Sequence, residues 1–126
     1  MRSKLVILSA LLTMQILLIP SIAAAGTTGD LASIIMNLNH RPSPMDKQHL
    51  MEIIGEQSAT AGEKTLAKAL MNMEHHVASS DRDKLNQMIQ DSNTPEDERT
   101  LARILANLNH HASAEDKAEL KKITAK

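Results

Sequence analysis

Leu66-Ala67-Lys68-Ala69-Leu70-Met71-Asn72-Met73-Glu74-His75 is the stretch that decides the fold, because degenerate copies of it start at Leu31 and Leu101, 35 residues to either side. Six positions are the same residue in every copy: Leu31/66/101, Ala32/67/102, Asn37/72/107, His40/75/110, Asp46/81/116 and Leu50/85/120. A fixed period of this length is the signature of a repeat architecture in which each unit buries its apolar face against a neighbour.

Each unit reads as two helices. Leu101, Ile104, Leu105 and Leu108 fall at i, i+3, i+4 and i+7, one apolar stripe of a helix. Start signals precede the stripes: Thr94-Pro95-Glu96-Asp97, Thr60-Ala61-Gly62-Glu63 and Thr27 to Asp30. The second helix of each unit follows the repeated His. Ser43-Pro44-Met45-Asp46 is its cap in the first copy, Ser113-Ala114-Glu115-Asp116 in the third, and Ser80 to Asp83 in the second. Gly55 is placed to end the first of these as a left-handed cap. No alternating apolar and polar run suggests a strand. The expected fold is all-α: three αα-hairpin repeats, six short helices, forming a short solenoid or a compact helical bundle.

The first 25 residues read differently. Arg2 and Lys4 precede an apolar run from Leu5 to Ile19, and Ala23-Ala24-Ala25 gives a small-residue cleavage site, so residues 1–25 are expected to be a secretory signal peptide cleaved after Ala25. The expected mature chain is one domain, 26–126, with units of about 26–57, 58–92 and 93–126. It is predicted to be exported, periplasmic or secreted, and without stable membrane insertion once the leader is removed. Ser9, Thr13 and Gln15 interrupt the apolar run, against about 20 apolar residues for a membrane span.

Composition excludes several functions. Without Arg2 and Lys4 the basic residues fall from 14 to 12 against 15 acidic ones, a formal charge of −3, which disfavours nucleic acid as a partner. The chain has no Phe, Tyr or Trp, so it lacks stacking platforms for bases and the aromatic anchors usual at protein interfaces. It has no Cys either, so packing alone must hold the domain together outside the cytosol. Met36, Met71, Met73 and Met88 fall on or beside the stripes as core filler.

Catalysis finds no support in the sequence. There is no His-Glu-x-x-His, Gly-x-Ser-x-Gly or Gly-rich phosphate loop. The residues that stand out are His40, His75 and His110, with His76 and His111 doubling two of them and Arg41 in the equivalent place of the first copy. Ending the first helix of each unit, they line one face together. The first expectation is a non-catalytic module that binds a protein or peptide partner there, with no cofactor. The alternative is a carrier or buffer for Cu, Ni or Zn using these imidazoles.

Two arguments weigh against the metal. A structural joint is needed once per unit, and a bond from each His to the Asp six residues on (Asp46, Asp81, Asp116) would staple the two helices together. In a stacked solenoid, moreover, equivalent side chains lie about 10 Å apart, too far to share an ion with bonds near 2 Å. Only three units closed around an axis bring the three His together. Asn37, Asn72 and Asn107 flank the stripes and are expected to form a structural ladder or to bond the neighbouring loop.

Overall fold

A computed structural model describes residues 22–126, and the greater part of the predicted leader lies outside the described residues. The described chain is all-helical: α1 (Ile22–Met36), α2 (Pro44–Gly55), α3 (Ala61–Met71), α4 (Ser79–Gln90), α5 (Glu96–Asn107) and α6 (Ala114–Thr124). None of these helices is long and apolar enough to cross a membrane.

The helices form a compact bundle with a defined packing order. α2 packs chiefly on α3, α4 on α5, and α6 on α1, while α1, α3 and α5 each touch the other two. Each second helix of a unit therefore buries its stripe mainly against the first helix of the next unit, and α6 closes the circuit on α1. A solenoid would leave α1 and α6 at opposite ends; their packing decides for the bundle.

Aliphatic side chains make the core. Leu31, Leu66 and Leu101, with Leu50, Leu85 and Leu120, are all fully buried, as are Ala32, Ala67 and Ala102. Burying each Leu is worth about 1.5–3 kcal/mol relative to exposure. Met73 and Met88 are buried and Met36 and Met71 partly so, which places the methionines in the core as expected.

Capping follows the sequence in three places and departs from it in four. Ser43 and Thr60 form capping boxes with Asp46 and Glu63, and the Ser113 hydroxyl accepts from the Asp116 N–H at 3.1 Å. α1 instead runs through Thr27–Asp30 from Ile22, so those residues are helix interior and not a cap. α5 starts one residue later than expected, with Pro95 at the cap and no side-chain bond there. α4 starts at Ser79 after Ala78, which occupies the place of Ser43 and Ser113 but has no oxygen to offer. Gly55 stays helical, and no glycine has a positive φ; α2 ends through Glu56, whose N–H reaches the Ile53 carbonyl.

Candidate metal centre

Three loops follow the C-terminal ends of α1, α3 and α5: residues 37–43, 72–78 and 108–113. The bundle brings them to one end of the molecule. There the His40 N–H donates to the His110 carbonyl at 2.9 Å, and the His110 N–H donates to the His75 carbonyl at 3.2 Å. Two main-chain bonds thus tie together residues 70 and 35 positions apart.

Local backbone geometry aims the side chains. His40 and His110 have φ of 67° and 68°, and among the described residues they alone of the non-glycine positions have positive φ. Each is the middle residue of a γ-turn: the Arg41 N–H donates to the Asn39 carbonyl and the His111 N–H to the Asn109 carbonyl, both at 2.8 Å. Such turns are rare and strained for a residue with a Cβ. His75 reaches the same place without one, and Glu74 stands there where the other loops have Asn39 and Asn109.

The result is a cluster of three imidazoles. Each offers one ring nitrogen such that all three lie within 4.8 Å of one another, and all three residues are exposed. His40 Nδ1 and His110 Nδ1 are 3.0 Å apart, so one carries a proton and the other accepts it. Ring centroids are separated by 5.0, 5.5 and 5.6 Å, with the planes at 80°, 81° and 65°, edge to face throughout. Bonds of about 2.0–2.1 Å in a tetrahedral shell set ligand nitrogens about 3.4 Å apart. The cluster spans that distance.

The other singled-out residues do not join it. His76 and His111 lie outside the group of converging donors. The expected His–Asp staple is not present among the described residues: Asp46 accepts from the Ser43 backbone and hydroxyl, and Asp81 accepts from Asn72 Nδ2 at 3.2 Å. Asp46 thus serves the start of its own helix and Asp81 the loop before it, while the His side chains turn towards each other. Asn37 and Asn107 donate back to the Ser33 and Arg103 carbonyls, four residues earlier, so the three Asn form no ladder. Asn72 alone bonds across its loop.

A second polar cluster, not anticipated from the sequence, joins Thr28, midway along α1, to the first turns of α3 and α5. Glu63 and Glu98 are 1% and 3% exposed. The Thr28 hydroxyl donates to Glu63 Oε1 at 2.7 Å, the Thr60 N–H to Glu63 Oε2 at 2.8 Å, and the Thr60 hydroxyl to Glu98 Oε1 at 2.6 Å. Burial pushes the Glu98 carboxyl up; the Thr60 hydroxyl partly offsets this and the neighbouring Glu63 adds to it. Gly62 leaves room for this carboxylate: a Cβ at that position would lie 2.1 Å from Glu98 Oε2 and force it to shift. Thr28, Glu63 and Glu98 stand three residues before Leu31, Leu66 and Leu101, so the period carried a signal for this cluster.

Comparison of the chain with protein-family models, with curated proteins and with solved structures finds no match.

Proposed function

We propose that the chain is an exported, non-catalytic protein that binds one transition-metal ion through His40, His75 and His110, as a carrier or buffer. The observation that carries this reading is the convergence of three ring nitrogens to within 4.8 Å at the surface. Imidazole without thiolate or carboxylate suits Zn(II), Cu(II), Ni(II) or Co(II) over hard ions such as Mg(II) or Ca(II). Between His40 and His110 an ion would take the place of the proton shared by the two Nδ1 atoms. Three units closed around an axis then need three copies of a residue to make one site, which is the physical sense of a repeated His.

Strain supports the same reading. A γ-turn with positive φ at two of the three ligands costs stability that a merely solvated side chain would not need. Docking of a protein or peptide on this face is the weaker reading, because the face offers imidazoles and Arg41 where an interface needs buried apolar anchors.

Calorimetric titration of the chain with Zn(II), Cu(II) and Ni(II), beside a variant with His40, His75 and His110 all changed to Ala, tests it. One ion per chain, bound by the wild type and lost in the variant, is the expected result. Equal binding by both proteins, or none by the wild type, refutes it.

A further inference from the structure

Three imidazoles supply fewer donors than the four of a closed tetrahedral shell. All three are exposed, so solvent and small solutes can reach the cluster. Beside them lies a cleft of about 440 Å³, lined by Asn39, His40, Arg41, Glu74 and His75, between the loops that follow α1 and α3. Arg41 is exposed and makes no ion pair among the described residues. It is also the single place where the rim of the cluster carries a permanent cation, because His76 and His111 occupy the equivalent positions.

We infer that the metal site has an exchangeable outer position that takes a small monoanion, with Arg41 as its charge partner. This rests on the metal reading above. A divalent ion on three neutral imidazoles keeps its full double charge, which favours an anionic fourth ligand over water. Arg41, which lines the cleft, adds a fixed positive charge and planar donors suited to a carboxylate-like or bicarbonate-like anion. Glu74 lines the same cleft and carries the opposite charge, yet its carboxylate is not among the donors that converge. Its place on the wall lets it act on the bound anion as a neighbour that limits double charge, which selects monoanions over dianions.

An open position also suits a carrier. An acceptor's ligand can enter there before the imidazoles leave, so the ion transfers without first being released to water.

Co(II) serves as the probe, because its visible bands report coordination number and ligand exchange. The Co(II)-loaded chain is titrated with sodium azide, with sodium perchlorate as the control for ionic strength. Azide is expected to change the visible spectrum saturably while perchlorate leaves it unchanged. Arg41→Ala is expected to weaken azide about fivefold, as removal of one partly solvated charge does, with Co(II) affinity unchanged or slightly higher; Arg41→Lys restores most of the loss.

A spectrum that azide does not alter in Co(II)-loaded wild type overturns the inference while leaving the metal reading standing. If Glu74→Gln then makes the spectrum responsive, Glu74 is the ligand that closes the site. Equal azide affinity in wild type and Arg41→Ala overturns the role of Arg41. Failure of the chain to bind Co(II) at all, checked alongside Zn(II), removes the metal reading itself.

Discussion

Replacing each clustered His by Ala and by Gly, one position at a time, tests whether the backbone of the cluster is strained, and the structure fixes the expected sign at every position. At φ near 67°, as at His40 and His110, a residue with a Cβ costs about 1–2 kcal/mol relative to one without. Glycine removes that cost but loses about 0.5–1 kcal/mol to the greater freedom of the unfolded chain. His40→Gly and His110→Gly are therefore expected to be more stable than His40→Ala and His110→Ala, by about 0.5–1 kcal/mol. His75 has no positive φ, so there the order inverts and Ala is the more stable by a similar amount. In a domain of this size about 1 kcal/mol moves the melting temperature by about 4–8 °C, so the inversion is readable in thermal melts followed by far-ultraviolet circular dichroism. A chelator in the buffer keeps bound metal from contributing. The same order of Ala and Gly at all three positions would refute the argument that the loops at 40 and 110 hold their imidazoles at a cost in stability.

Three further outcomes are expected. The Glu98 carboxyl has its pKa raised in the folded state, so the folded chain binds that proton more tightly than the unfolded one, and its contribution to stability is lost as pH rises from the ordinary glutamate value of 4.5 through the raised one. Glu98→Gln keeps an oxygen that can accept from Thr60 and cannot ionise; urea melts across pH 4 to 8 should show the variant gaining stability relative to the wild type as pH rises, and a difference that does not change with pH refutes this. Leu70→Ala, at a fully buried position of α3, should cost about 2–5 kcal/mol in the same melts, whereas Met45→Ala, at a position 78% exposed, should stay within about 0.5 kcal/mol of wild type. Expression of the full chain in an exporting bacterial host should give a protein whose intact mass corresponds to a start at Gly26; a mass that keeps Met1 to Ala25 would count against export through a cleaved leader.

Much of the helical content was legible because the information is local. Ser43, Thr60 and Ser113 precede apolar stripes with an acid three residues on, and each caps its helix. Ring closure was not legible, because stack and ring bury the same stripes. What separates them is whether α6 finds α1, a contact between residues near 31 and 123 that no local pattern specifies. The site inherits that ambiguity. In a stack, three identical His mean three joints; in a ring they meet in one cluster, so the same repetition reads differently in the two arrangements. The γ-turns were hidden for a different reason, since Asn39-His40-Arg41 and Asn109-His110-His111 contain no Gly to advertise a positive φ.

An all-aliphatic core without aromatics or disulfides supplies affinity between helices but little direction, because Leu against Leu tolerates small rotations and shifts. Direction must come from groups that bond at one distance and angle. The structure places such groups at two levels of α1, α3 and α5: Thr28, midway along α1, on Glu63 and Thr60 on Glu98 at the starts of α3 and α5, and the three His with their main-chain bonds just beyond the C-terminal ends. Both sets join different units, 35, 38 and 70 residues apart, so both resist sliding of one unit past another. They differ in what they leave unmet. The carboxylates are enclosed and already accept hydroxyl and amide donors, a closed network that holds register. The imidazoles are exposed and edge to face, and two of their three loops hold them at a positive φ. Register alone would be served by any pair of bonded side chains on relaxed loops. The exposed imidazoles are the set that a group arriving from solution can reach, and on that difference between the two clusters the proposal of a bound metal ion rests.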